Sequence, residues 1–230
     1  MLKTDNLYKK NLKINADSLP ESVRDSVSLA NSTILGKIKD KTFAELVYNG
    51  MSDEIKKSKF SVYIEDSLNV FMKMTGKAYI FNLTQIELDE YFENDTAAQE
   101  IEDKVYYQDF VLNSASINLW FDVSQLNGDQ DKKRMLFSST SISDDVNGHF
   151  KRDFMSGEIK FFYKRKDITE DDVYQMAQDF GVTNADYIFD YFMNEYVYLK
   201  YKGKKKIAYM HYDPVRKMLS PAAYDRFIFM

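Results

Sequence analysis

Apolar residues recur at helical spacing in some stretches of the chain and alternate with polar ones in others. Leu19, Val23, Val27, Ala30 and Ile34 share one helical face behind Ser18-Leu19-Pro20-Glu21, a capping box with an early proline, and Gly36 offers a stop. Thr42-Phe43-Ala44-Glu45 predicts a second, short helix ending at Gly50. Asp66 caps a third that carries Leu68, Phe71 and Met72 and ends at Gly76. Phe60, Val62 and Ile64 alternate with Ser61, Tyr63 and Glu65 as in a half-buried strand, and residues 78–83 read as a buried one. Thr84-Gln85-Ile86-Glu87 and Thr96-Ala97-Ala98-Gln99 are further capping boxes. They predict two acidic helices with Ile86, Tyr91, Phe92, Ile101 and Val105 facing inward. The clearest strand follows, where Ile117, Leu119, Phe121 and Val123 alternate with Ser116, Asn118, Trp120 and Asp122.

Residues 124–134 and 143–149 are polar enough to be turns, with strands predicted around 135–142 and 158–164. Thr169 caps a helix holding Val173, Met176, Ala177 and Phe180, which Gly181 should end. Thr183 caps the next, with Tyr187, Ile188, Tyr191 and Phe192. Residues 198–202 and 207–212 then alternate on either side of Lys202-Gly203-Lys204-Lys205-Lys206, the pattern of a hairpin with a basic tip. Ser220-Pro221 is suited to open a closing turn of helix. Together these elements predict an α+β fold: a mixed, largely antiparallel sheet, several short capped helices and a C-terminal helix–helix–hairpin segment. No stretch has the composition of a linker and no repeat is visible, so residues 1–230 read as a single domain. Any seam between two lobes would fall near 124–134 or 165–168.

Composition narrows the function classes. With 44% hydrophobic and 29% charged residues in 230, the chain is globular rather than disordered. It has no Cys, which excludes disulfides, thiolate metal sites and cysteine nucleophiles. There is no apolar run long enough to span a bilayer, and the opening MLKTDNLYKKNLKI lacks the apolar core of a secretory signal. A cytoplasmic protein is therefore expected, or a virion component if the gene belongs to a phage. The abundance of Lys, Asn, Asp, Ile, Tyr and Phe suits an AT-rich coding sequence of that kind.

The formal charge of −5 conceals a partition. Residues 85–110 hold nine carboxylates against Lys104 alone, and residues 167–196 hold eight carboxylates with no Lys or Arg. Residues 151–166 hold six cations against Asp153 and Glu158, and residues 197–217 hold seven against Asp213. Such runs are most often solvated faces; the sharper alternative is two surfaces of opposite sign made for partners.

Candidate chemistry is sparse. The glycines are too far apart for a phosphate-cradling loop. His149 and His211 are the two imidazoles, one in a polar loop and one in the proposed hairpin, and there is no nucleophile elbow. Asp145 or Asp153 ahead of Glu158-Ile159-Lys160 has the order of a Mg²⁺-dependent nuclease, although Glu54-Ile55-Lys56 repeats the same short pattern. Residues 169–212 have the order of a winged helix, with Ala177 and Gly181 spaced for a helix-turn-helix, yet the would-be recognition helix carries Asp186, Asp190 and Glu195 and no cation. That leaves two interaction candidates. One is the basic hairpin with Lys200, Lys202, Lys204, Lys205, Lys206, Arg216 and Lys217. The other is an aromatic and apolar set, Tyr187, Tyr191, Tyr198, Tyr209, Phe227 and Phe229, of the residue types that anchor protein interfaces. The reading is a non-enzymatic assembly or adaptor protein that contacts other proteins, as a homo-oligomer or particle component, with no cofactor, metal or membrane called for. The first alternative is an accessory protein that meets nucleic acid backbone through the basic hairpin or mimics DNA with its acidic helices; the second is the nuclease.

Overall fold

The structure, a computed structural model, describes residues 2–3, 32–58, 60–63, 65–75, 78–126, 134–201, 209–213, 216–222 and 227–229. Three helices and antiparallel sheets among these residues make an α+β fold. The helices are α1 (Asp40–Lys57), the single turn α2 (Leu68–Phe71) and α3 (Glu170–Lys200). A five-stranded sheet has the order β1-β2-β3-β4-β9, from Leu2–Lys3, Tyr79–Ile101, Lys104–Gln125, Arg134–Ser143 and Ile228–Phe229. Two hairpins form separate two-stranded sheets: β5 (Asp145–Arg152) with β6 (Ile159–Lys166), and β7 (Met210–Asp213) with β8 (Met218–Pro221).

The chain divides into two compact units that interleave in sequence. The first holds Met1–Ile38, Glu87–Ile117 and Ser141–Val173; the second holds Lys39–Ile86, Asn118–Thr140 and Tyr174–Met230. The alternation predicted on β3 is present, with Ile117, Leu119, Phe121 and Val123 all buried. In the second unit the rings of Phe81, Phe121, Phe227 and Tyr187 form one aromatic cluster, and the backbone of β9 pairs with β4 in the register Ile228 with Phe137 and Phe229 with Leu136. The strands expected at 78–83, 135–142 and 158–164 correspond to the start of β2, to β4 and to β6.

Several expected elements differ. The two acidic helices are instead the second half of β2 and the first part of β3, joined by a turn in which Glu102 and Asp103 both take positive φ. A two-residue turn of that hand matches the twist of an antiparallel ribbon. The threonines read as helix caps make cross-strand bonds: Thr84 donates to the Trp120 carbonyl and Thr96 to Asp109. Gly50 does not end α1, which runs from Asp40 to Lys57. Gly181 does not end α3 either, so the two C-terminal helices are one and no helix-turn-helix exists there. Thr169 does cap α3: its hydroxyl accepts from the Asp172 amide, and its own amide donates to the Asp172 carboxylate. Residues 60–63 form no strand; Phe60 instead packs its ring against Phe189 and Phe192. The polar segment 143–149 is mostly β5, and the true turn is 153–158. Residues 198–200 belong to α3, the C-terminal hairpin is β7–β8, and Ser220-Pro221 lies in β8 rather than in a helix. The helix expected over 19–34 falls outside the described residues except at its end, where Leu35–Lys37 form one 3₁₀ turn.

Candidate functional site

The turn that joins β5 to β6 carries the most exposed apolar side chains among the described residues. Phe154 is 101% exposed and Met155 93%. The turn beneath them is tightly bonded. The Asp153 amide donates to the Glu158 carbonyl at 2.7 Å and the Gly157 amide to the Asp153 carbonyl at 2.8 Å. The Asp153 carboxylate accepts from the Met155 amide and from Lys160 Nζ, both at 2.9 Å, and Arg152 reaches the Gly157 carbonyl. Gly157 takes φ +71, which glycine adopts without strain. The Lys160 hydrogen bond, then that of the Met155 amide, lowers the Asp153 pKa to about 2. These bonds fix the backbone and leave Phe154 and Met155 presented to solvent.

The strand register sorts the rest of this hairpin. Phe150 opposite Phe161 and Gly148 opposite Tyr163 line one face, where Phe110 packs on Phe161 and Tyr163. The other face carries Lys151 opposite Lys160, His149 opposite Phe162, and Lys164, with Lys151 Nζ 4.4 Å from the centre of the Phe162 ring. Glu158 and Lys160 of the proposed nuclease motif therefore sit at the turn, where Lys160 also pairs with Glu158 at 3.6 Å. Asp145 lies at the opposite end of the hairpin, across from Lys166. Among the described residues no three His, Cys, Asp or Glu side chains are grouped to hold a metal ion.

Two buried carboxylates organise the same unit. Glu90, on β2, is 1% exposed and accepts from six donors: the hydroxyls of Ser32 and Thr33, the amides of Thr33, Ile34 and Leu35, and Asn113 Nδ2. Burial opposes its charge, but the Ser32, Thr33 and Asn113 side chains and the Leu35 amide outweigh that and hold the pKa below its ordinary value. Asp144 accepts from the amides of Asn113 and Ile168 and from Arg165, whose guanidinium also bonds Asp167 and the Val111 carbonyl. Every oxygen of the two carboxylates accepts at least one hydrogen bond, so both groups tie these segments together. Beside them lies an open cavity of about 560 Å³, walled partly by Ile34, Phe92 and Ile168.

In the second unit Asp190 of α3 is fully buried and anchors β7. His211 Nδ1 lies 2.6 Å from one carboxylate oxygen, and the Tyr212 amide donates to the other at 2.9 Å. Asn194, one turn on, bonds both the amide and the carbonyl of Met210. Asp186, one turn before, is half-buried, and its pKa is raised to about 6 by burial first, then by the nearby Glu54 and Asp190 charges; His211 and Lys57 act the other way. A carboxyl whose folded pKa exceeds its unfolded value of 3.8 opposes folding when ionised, so stability is gained as pH falls through 6 towards 4. After a discount for partial exposure, Asp186→Asn should stabilise the protein by about 1–2 kcal/mol at pH 7.5 and by much less at pH 4.5. Urea unfolding of both proteins at the two pH values measures this; an equal difference at both would show that Asp186 does not titrate in that window.

The structure disperses the sequence-predicted residues. Tyr191 and Phe227 are buried, and Tyr187 and Tyr209 are half-buried. Tyr198 is exposed near the end of α3, Lys200 closes that helix, and Arg216 and Lys217 lie in the β7–β8 turn. Phe229 is in β9, paired with Leu136. Lys202, Lys204, Lys205 and Lys206 lie outside the described residues. Sequence reasoning missed Phe154 and Met155, although two large apolar residues inside Asp-Phe-Met-Ser-Gly-Glu were visible. It missed Glu90, Asp144 and Asp190 because acidic residues were assigned to solvent. No helix among the described residues is long and apolar enough to cross a membrane. No protein-family model, curated protein or solved structure matches the chain.

Proposed function

We propose that this chain is a non-enzymatic assembly protein that acts through protein–protein contacts, in a homo-oligomer or a larger particle such as that of a phage. The observation that carries this reading is the Phe154–Met155 pair, held fully exposed on a turn whose backbone is bonded on both sides. Burying one such side chain releases about 1.5–3 kcal/mol, and an aromatic carried on a backbone that is already ordered is a typical interface anchor. The buried carboxylates support the reading, since they are consumed in holding strands and helix ends together.

Nucleic acid backbone is the second reading, favoured by exposed Phe162 among Lys151, Lys160 and Lys164 on the outer face of β5–β6. It is the weaker one because Lys160 is paired with Asp153 and Glu158, and neighbouring Lys166 with Asp172. Native mass of the intact chain across a concentration series tests the proposal. A defined oligomer or a concentration-dependent ladder is expected. A strict monomer at the highest concentration, combined with salt-dependent retention on immobilised single-stranded DNA, would replace the first reading with the second.

A further inference from the structure

We infer that Ser220 is an activated nucleophile that takes up an acyl group from activated esters or thioesters, with His211 as its base and Asp190 orienting that base. The inference goes beyond the assembly reading and does not rest on it, since a single acylation modifies the chain and is not turnover. It is carried by the place where β7 docks on α3. His211 stands directly opposite Ser220 in the β7–β8 ladder, and His211 Nδ1 lies 2.6 Å from the Asp190 carboxylate. A carboxylate, an imidazole and a hydroxyl are thus brought together in the order that makes a serine nucleophilic.

The backbone decides which way the imidazole is turned. Alternate residues of an antiparallel pair direct their amides and carbonyls at the partner strand. The Ala222 amide donates to the Tyr209 carbonyl at 2.7 Å, so residues 209, 211 and 213 turn these groups towards β8. Met210 and Tyr212 turn theirs away, and α3 takes them up: Asn194 bonds the amide and the carbonyl of Met210, and Asp190 accepts from the Tyr212 amide at 2.9 Å. Asp190 therefore lies on the side of β7 remote from β8. With Nδ1 directed at Asp190, the other edge of the ring, with Cδ2 and Nε2, is on the β8 side. A carboxylate only accepts, so Nδ1 carries the hydrogen and Nε2 of the neutral ring keeps its lone pair. Directly opposite side chains share a face with Cβ atoms about 5 Å apart, which puts the Ser220 hydroxyl within a side-chain rotation of Nε2. Among the described residues neither Nε2 nor the Ser220 hydroxyl is hydrogen-bonded, so both are free to close on each other when a reagent arrives. Asp190 is fully buried, His211 is partly exposed and Ser220 is exposed, so the nucleophile is the member that faces solvent.

In the step proposed, Ser220 Oγ attacks the carbonyl carbon of the ester while its proton passes to His211 Nε2. The tetrahedral adduct expels the alcohol or thiol, which takes that proton from Nε2, and the acyl group remains on Ser220 as an ester. A fluorophosphonate probe tests this on the intact chain, because phosphorus is attacked in place of the carbonyl carbon, fluoride leaves and the adduct resists hydrolysis. Ser220 should be labelled at least about 100-fold faster than Ser156, an exposed serine of the β5–β6 turn, since a positioned base contributes about 100–10,000-fold. His211→Ala should lower the Ser220 rate by a similar factor, and free imidazole should restore part of it; a histidine that only held the hairpin would give no rescue. Melting curves report whether that variant folds, and the wild-type comparison of Ser220 with Ser156 stands without it. Release of p-nitrophenolate from p-nitrophenyl acetate should be slower in Ser220→Ala than in wild type. Labelling of Ser220 no faster than that of Ser156, or a folded His211→Ala protein labelled as fast as wild type, overturns the activated serine. Equal p-nitrophenolate release with and without Ser220 overturns the acyl class.

Discussion

Gly181→Ala is expected to destabilise the protein by about 3 kcal/mol, the upper part of the range for overpacking a tight contact. The usual effect of this exchange inside a helix is the reverse, a gain of about 1 kcal/mol. Local geometry decides the sign. A Cβ at position 181 of α3 would lie 2.3 Å from the Val47 carbonyl oxygen and 3.0 Å from the Met51 amide nitrogen of α1. A Cβ at position 50 would lie 2.4 Å from the Gln178 carbonyl oxygen and 3.3 Å from the Val182 amide nitrogen. The obstacles are backbone atoms within regular helices, so no rotamer change relieves them. The helices must separate, and Phe43, Val47, Ala177 and Phe180, all buried, would lose contacts around the crossing. Gly50→Ala should cost a similar amount. The double variant should cost less than the sum, because one separation makes room for both methyl groups. Urea unfolding followed by far-UV circular dichroism measures all three. A Gly181→Ala protein as stable as wild type would show that the two helices do not cross in backbone contact.

The same two glycines mark the limit of what the sequence discloses. In the chain they look like helix stops, because glycine after an apolar run ordinarily takes the left-handed C′ position. Their role is tertiary and appears only once a second helix lies across them. Elements specified locally were legible: the β3 alternation, because one face is buried from 113 to 123, and the Thr169 cap, because it bonds three residues away. The middle of β2 was not, since its pattern depends on burying Glu87 and Glu90, which count as polar in any periodicity, and residues 91–101 bury no side chain that could mark a face. Binary patterning assumes that carboxylates face water. The assumption fails where Asn113 and the backbone around residues 32–35 supply the donors, and they lie more than 20 residues from Glu90 in sequence. The acidic blocks were visible as charge, but their division into solvated and buried members was not. Asp190 meets His211 across 21 residues, and nothing near either of them signals the pair. The exposed tip was legible in principle: a polar turn has no local reason to hold Phe and Met side by side.

Glu90→Gln is expected to cost about 2–3 kcal/mol despite being nearly isosteric. An ordinary surface carboxylate would tolerate the change within about 0.5 kcal/mol. The difference lies in the hydrogen-bond inventory. One Glu90 oxygen accepts from Thr33 twice and from Asn113, at 3.2, 2.6 and 2.8 Å. The other accepts from Ser32 and from the amides of Ile34 and Leu35, at 3.3 and 3.2 Å for the amides. A glutamine amide must direct its NH₂ at one of these two sets, and the backbone amide of Leu35 or of Thr33 on that side then loses its acceptor, whereas the Ile34 amide and Asn113 Nδ2 keep the Ser32 and Thr33 hydroxyls. Each such orphan costs about 1–3 kcal/mol when it cannot reach water. The pH dependence follows from the lowered pKa. Glu90 contributes stability above its unfolded value, near 4.5, and that contribution is lost as pH falls through the depressed folded value. The gap between wild type and Glu90→Gln should therefore be widest at neutral pH and should narrow below pH 4. Paired unfolding curves at pH 7 and pH 3.5 distinguish this from a packing defect, which would leave the gap constant.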